Sequence, residues 1–417
     1  LIPGYQWKVN GSNAGTNSPS FTYSPANGDQ VSCTLNSSAS CITGNPALSN
    51  IITMTVNTNL PAGVSISTPT NPFCPGTAVT ITATPTNGGP TPVYQWKVNA
   101  INVINANNAS YAYNAVNGDV VTCELTSNLN CVTGNPAISN SILLSERAAP
   151  NVTFTSCFDT VTILGAQPFS LHGGLPLGGQ YSGPGVNTGI FTPSVAGTGL
   201  KTITYGYSNV YTCLATKTRT ILVQPNPAFS CGNNLTDIRD NKVYPTVQIG
   251  SQCWMAANLD FGFQISDLTP QTDNCIAEKY LRNSIFSVQY SIFYQWDELM
   301  RYTTAEGAQG LCPPGWHVPS AAEWNTLLAF YSGPGVAGGP MKDTLLLNGF
   351  KSYQQGFLYQ NNTWAFTSGP AAGAIYWSST ASGGDRAVAR GFNDYNPSVS
   401  MYPSARANAF PIRCLKD

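Results

Sequence analysis

The sequence predicts a multidomain chain in which tandem all-β sandwiches are followed by an α+β domain. Three observations predict it. A long stretch near the start recurs about ninety residues later. Short alternating apolar runs separated by Asn- and Gly-rich turns fill the first half, and beyond residue 226 charge and helix formers rise together. A length of 417 residues exceeds one ordinary domain.

Composition bounds what the chain can do. Hydrophobic residues make up 42% and supply core material, but charged residues are only 9%, against about a quarter in ordinary soluble domains. Through residue 146 only Lys8, Asp29, Lys97, Asp119, Glu124 and Glu146 are charged. Solubility therefore rests on uncharged polar groups. A net charge of -1 offers no sustained basic patch for a phosphate backbone, so no nucleic-acid partner is expected. The chain has no apolar run of about eighteen residues, so no direct membrane insertion is expected. Twelve cysteines without paired CxxC spacing point to disulfides in an oxidising compartment, hence an extracellular, cell-surface location. Leu1 is not followed by a charged and then apolar leader, so a mature chain or a fragment is expected.

Residues 1–57 hold the first copy of the repeat and residues 58–146 the second. "YQWKVN" at Tyr5 recurs at Tyr94, and "NGDQVSCTLNSSASCITGNPALSN" recurs as "NGDVVTCELTSNLNCVTGNPAISN". Runs such as "AVTITATP" alternate with period two and are bounded by turn signals, the pattern of sandwich strands. Trp7 and Trp96, each followed by a cysteine, Cys33 or Cys123, resemble the strand-C tryptophan and strand-F cysteine of immunoglobulin-like domains. The second copy includes upstream strands, "NPFCPGTAVTITATPTNGG", which the first lacks, so the natural chain is expected to extend N-terminal of Leu1. Cys33 with Cys41 and Cys123 with Cys131 share one spacing that suits a bridge across a hairpin, although Cys74 could instead pair with Cys123 or Cys131.

Residues 147–226 read as a third, divergent unit punctuated by Gly and Pro. "LHGGLPLGGQYSGPGVNTGIFTPSVAGTGLKTITYGYSNVYTC" is similar to bacterial surface immunoglobulin or PKD-type repeats, with Cys157 and Cys213 placed for a bridge between strands. Asp159-Thr160-Val161 and Asp343-Thr344-Leu345 resemble a short O-glycosylation acceptor of Bacteroidota.

Residues 227–417 form the α+β domain. "AEKYLRNSIFSVQYSIFYQWDELMRYTT" reads as helical or mixed. "VPSAAEWNTLLAF" reads as a helix opened by a Ser320 to Glu323 capping box. Five ordered motifs, "LTDIRDNKVYPTVQIGSQCWMAANLDFG", "YQWDELMRY", "LCPPGWHVPSAAEWNTLL", "YWSST" and "FPIRCLKD", resemble the Fibrobacter succinogenes major paralogous domain over about residues 231 to 417. The resemblance implies a C-type-lectin-like fold in a Bacteroidota surface protein, with the chain ends brought together and an upper sheet displaying a ligand surface. It also implies bridges Cys231 to Cys253 and Cys312 to Cys414. Members of that family often carry a further cysteine after "EKY", where this chain has Leu281, so Cys275 is expected to be free.

Catalytic and metal chemistry need convergent titratable groups, and no such set is visible. Of the two histidines, His172 lies in a Gly-rich loop, while His317 in "GWHVPS" reads as packed beside Trp316 and hydrogen-bonded near a helix start. Phe392-Asn393-Asp394 lacks the companion loop of a calcium-dependent lectin and reads as a turn. No catalytic residue, metal or cofactor is expected, and the chain is read as a non-enzyme.

The tail concentrates Arg386, Arg390, Arg406 and Arg413. In "FPIRC", Phe410, Ile412 and Cys414 share one phase and read as core. A structural alternative pairs Arg390 and Arg413 with Asp385 and Glu323 or with backbone carbonyls, and for Arg413 that is the reading favoured. By resemblance to variable lectin-like proteins, Arg386, Asp394, Tyr395, Asn396, Ser400, Tyr402, Arg406 and Asn408 would form an exposed ligand-binding surface, and Tyr, Arg, Asn and Ser suit recognition. The expected function is a secreted cell-surface adhesin or filament protein with an immunoglobulin-like stalk, whose partner is a surface glycan or protein ligand. The rival is a structural fibre subunit whose last domain contacts neighbouring filament subunits.

Overall fold

The computed structural model describes residues 2–283, 290–342, 350, 357–358, 364–365, 374–392 and 396–417. The chain divides into two compact units, Leu1–Ala148 and Ala149–Asp417.

In the first unit, the two repeats build the same sheet. Gly4–Val9 pairs with Gln30–Asn36, and Val93–Val98 pairs with Val120–Thr126, in registers that set Trp7 opposite Cys33 and Trp96 opposite Cys123. The Asn-Gly-Asp turn is used identically in both. Asp29 accepts from the Ala26 backbone N–H and Asn10, and Asp119 accepts from the Val116 N–H and Asn99. The second repeat adds a facing sheet of Gly63–Ser67, Ala78–Thr86 and Ser110–Asn114. Alternation along Ala78–Thr86 turns Val79, Ile81 and Ala83 inward, where they meet Trp96, Val121 and Leu125. Trp96 is fully buried, its indole donating to the Asn108 carbonyl at 2.8 Å. Trp7 donates equivalently to Ser18 at 2.9 Å but is only half-buried, because residues 4–53 supply one sheet alone.

The cysteines of the repeats correct the expected hairpin bridges: Cys33, Cys41, Cys123 and Cys131 are all free thiols. The reason is direction. Cys123 points into the core beside Trp96, whereas Cys131 is exposed on a left-handed residue beyond the strand end, at φ 59°. Cys41 is placed the same way, at φ 63°. Neither Cys123 nor Cys131 is therefore a partner of Cys74.

The second unit begins with another sandwich. Val161–Ile163 runs parallel to Leu214–Gln224, which pairs with Gly199–Ser208 and so connects to Gln180–Ser182. A smaller sheet of Phe169–Ser170, Ile190–Phe191 and Val186–Asn187 completes the unit. Phe154, Phe158, Phe191, Ile203, Tyr205 and Ile221 fill the space within.

The remainder is a mostly β module. Thr246–Ile249, Gln252–Met255, Leu415–Lys416 and Trp316–His317 form one sheet, so the module's two ends lie side by side. The segment expected to be helical or mixed is chiefly a hairpin, Glu278–Asn283 with Tyr290–Gln295, followed by one short turn of helix at Trp296–Leu299. Its aromatic and β-branched residues suit a buried strand: Tyr280, Phe293 and Tyr294 are buried. The expected helix is present at Ala321–Phe330 with its capping box formed. Trp254, Trp296, Trp316, Trp324 and Trp377 are all fully buried in this module. Phe410, Ile412 and Cys414 join the core as expected, but residues 411–414 form no strand and Pro411 and Arg413 are buried beside them; Cys414 is bonded to Cys312. Cys231 is bonded to Cys253.

Candidate functional site

Arg386–Phe392 and Val399–Ala405 form an antiparallel pair in which Gly391 opposes Ser400 and Ala389 opposes Tyr402. Val399–Ala405 is the edge of its three-stranded sheet with Ile375–Ala381. Close approach explains Gly391: an added Cβ would lie 2.8 Å from Ser400 Oγ and 3.0 Å from a Tyr402 ring carbon. Ser400 and Met401 face outward and Tyr402 is half-buried. Arg386 is exposed and donates to the Pro403 carbonyl at 3.3 Å. Asn396 is exposed too, but its side-chain oxygen caps a turn by accepting from the Ser398 N–H at 3.0 Å.

Two candidates belong to the interior instead. Asn408 is buried and donates to Ser404 Oγ at 2.9 Å. Arg406 lies over the Trp296 ring at 4.2 Å and reaches Asp297 at 3.4 Å, mostly shielded from solvent. Both follow the end of the strand at Ala405, where a turn leads back to the short helix at Trp296–Leu299, so the phase that exposes Ser400 no longer applies. Asp394 and Tyr395 lie outside the described residues, as do Asn393 and Asp343-Thr344-Leu345.

The other two tail arginines are structural through carbonyls and amides rather than Asp385 or Glu323. Arg390 donates to the Ala321 carbonyl at 3.0 Å and to Asn325 at 2.7 Å, and burial lowers its pKa. Arg413 is fully buried and donates to Asn258 and to the Phe350 carbonyl, each at 2.7 Å. His317 sits as expected near the helix start. Its ring nitrogens lie 2.7 Å from Asp417 and 3.0 Å from Glu323. Burial acts to lower its pKa, but the two carboxylates outweigh burial and raise it to about 9.

A second constellation was not anticipated. Cys157 is bonded to Cys275, not to Cys213, so the third sandwich is tied covalently to the C-terminal module and Cys275 is not free. Asp159 lies two residues on and receives Arg239 at 3.1 Å, Gln309 at 3.0 Å and Arg301. Arg239 is held in turn by Asp237 at 2.7 Å and stacks 3.7 Å from the Phe261 ring centre. Burial acts to raise the Asp159 pKa, and Arg301 and Arg239 together hold it below the usual carboxylate value. The same approach brings Gly315 against Ile163, leaving no room for a Cβ, which would fall 2.9 Å from the Ile163 methyl. The signal available in the sequence was Cys275, left without a partner inside its own module. Among the described residues no cluster of His, Cys, Asp and Glu could hold a metal ion, and no helix is long and apolar enough to cross a membrane.

These features define a chain of β-sandwiches that ends in a mostly β module carrying an exposed edge strand and bonded to the sandwich before it. That module is similar to a known family: residues 247–416 match the Fibrobacter succinogenes major domain. No curated protein is close enough to be matched. Among solved structures, the chain is similar to one of a 1.5-MDa bacterial ice-binding adhesin concerned with host cell surface retention. Identity there is 13%, over 54% of this chain and 87% of that one, at a TM-score of 0.27. A Ca2+-stabilized ice-binding adhesin of an Antarctic bacterium is 14% identical over 61% of this chain and 78% of that one, at 0.25. The N-terminal eight immunoglobulin domains of Down Syndrome cell adhesion molecule are 11% identical over 56% of this chain and 34% of that one, also at 0.25. Likenesses this loose carry no inference about function.

Proposed function

We propose that the chain is a secreted cell-surface adhesin or filament protein of the Bacteroidota type, in which immunoglobulin-like sandwiches form a stalk and the C-terminal C-type-lectin-like module binds a surface glycan or protein. The observation that carries this reading is the edge strand Val399–Ala405. It offers Ser400, Met401 and Tyr402, with Arg386 alongside, on a sheet whose neighbours are anchored by buried arginines. A hydroxyl, an aromatic ring and a guanidinium on a rigid frame suit recognition, since little ordering entropy is lost on binding. The adjacent ends of the module, Gln252–Met255 beside Leu415–Lys416, support the lectin-like reading. Three disulfides, Cys157–Cys275, Cys231–Cys253 and Cys312–Cys414, support an extracellular location. Binding rather than catalysis is the activity proposed, because His317 is committed to its two carboxylates.

The same strand supports a second reading. Its outer backbone groups could accept a strand from a neighbouring copy, making the module an assembly interface in a fibre. The test is binding of the full chain to an array of surface glycans and proteins, beside an Arg386→Ala, Ser400→Ala, Met401→Ala variant. Binding lost in a variant with unchanged melting supports recognition. Absence of binding, together with concentration-dependent self-association lost in the variant, would reject adhesion in favour of assembly.

A further inference from the structure

Where the third sandwich meets the C-terminal module, a crevice of about 320 Å3 opens between residues 156–161 on one side and residues 272–277 and 298–302 on the other. A smaller hollow of about 160 Å3 adjoins it and shares Phe158, Asp159, His172 and Arg301. We infer that this crevice is a binding site for a single uncharged, pyranose-sized sugar residue, distinct from the edge strand.

Size, charge and unused hydrogen-bonding capacity point to that ligand class. The volume lies at the low end of small-molecule sites, about 300–1,000 Å3, which suits one ring. Asp159 is paired with both Arg239 and Arg301, and Asp273 and Glu298 add two further carboxyls to the lining, so an anionic ligand gains nothing. Buried polar atoms are normally paired, yet the Arg301 Nε has no partner, and neither has the Gln309 side-chain oxygen in the adjoining hollow. One is a donor and the other an acceptor. A hydroxyl group does both jobs, and the Tyr302 ring, 38% exposed, offers a face for the C–H bonds of a sugar ring.

The walls are organised before any ligand arrives. The Cys157–Cys275 bond and the Asp159 ion pairs lock the two sides together. Arg301 and Tyr302 are consecutive left-handed residues, at φ 49° and 58°, a region disfavoured for side chains with a Cβ. Hydrogen bonds from their N–H groups to Glu298 and Asp297, at 3.0 and 2.7 Å, hold them there and aim both side chains at the crevice. The Tyr302 hydroxyl donates to Glu298 at 3.0 Å. The other Glu298 oxygen accepts from the Glu278 N–H at 2.9 Å, and burial raises the Glu298 pKa to about 7.

The test is saturation-transfer NMR on the full chain with the methyl glycosides of glucose, galactose, mannose and N-acetylglucosamine, and with glucuronate as the charged probe. At least one neutral glycoside should receive saturation, with a Kd of about a millimolar, typical of a few net hydrogen bonds. Tyr302→Ala should weaken it by about fivefold through the lost ring face. Ile276→Trp, a change at an exposed lining residue that fills the crevice, should abolish it while melting stays unchanged. The Arg386→Ala, Ser400→Ala, Met401→Ala variant should bind as before. Three results would overturn the inference: no neutral glycoside saturated, glucuronate bound more tightly than all of them, or binding that survives Ile276→Trp but is lost in the edge-strand variant. The last result would leave the adhesin reading standing without this site.

Discussion

Replacing Asp159 by Ala tests whether the contact between the third sandwich and the C-terminal module is energetic or merely geometric. Its side chain is 8% exposed and meets Arg239, itself 5% exposed, at 3.1 Å, with Arg301 and Gln309 on the same carboxylate. Removing one partner of a buried pair typically costs about 3–5 kcal/mol, because the other charge is left uncompensated. Here Arg239 keeps its second carboxylate, Asp237, at 2.7 Å, with the Leu311 carbonyl at 2.8 Å. The low end, about 3 kcal/mol, is therefore expected. For a unit of this length about 2 °C of melting shift accompanies each kcal/mol, so the transition should fall by about 6 °C. Scanning calorimetry of the full chain reads the shift. The Cys157–Cys275 bond keeps the two segments together in the variant, so the change reports the ion pairs and not separation. A shift below about 1 °C would refute the reasoning, since it would place Asp159 among surface ion pairs of about 0–1 kcal/mol.

Two further outcomes follow from named groups. The His317 pKa, raised to about 9 from the ordinary histidine value of about 6.5, contributes stability that is fully present below about 6.5 and is lost as pH rises through about 9; the urea midpoint should fall across that window and stay flat in a His317→Gln variant, and a flat wild-type profile would refute the clamp by Asp417 and Glu323. Alkylation without reductant should modify the exposed Cys41 and Cys131 and spare Cys123, whose thiol is buried and pushed up to about 11 by that burial; peptide mapping should find Cys157 linked to Cys275, and a Cys157 to Cys213 peptide would contradict the fold described.

How much was legible in the sequence depended on how local each feature is. The repeat, its Trp and Cys register and the Ser320 capping box follow from period and spacing within a few residues, and each is present as read. The segment around residues 278–299 reads as helical or mixed because its apolar residues fit either period, and burial between neighbouring strands selects the extended form up to Gln295, with a helical turn after it. The arginines divide along the same line. Arg413 lies between the strands Ala409–Phe410 and Leu415–Lys416 and is buried, whereas Arg406 and Asn408 follow Ala405, where the strand that exposes Ser400 ends.

Cysteine pairing lies beyond what spacing can decide, because a bridge depends on where two Cβ vectors point. Cys123 and Cys131 are close in sequence, yet one faces the core and the other faces solvent. Cys157 and Cys275 are 118 residues apart and bonded. By itself the sequence determined the order of sandwiches, the β content of the first half and the capped helix, since periodicity and capping act through neighbours in the chain. Only the tertiary structure decided the disulfides, the crevice and which arginines reach solvent, since those depend on the approach of segments that sequence separation does not encode.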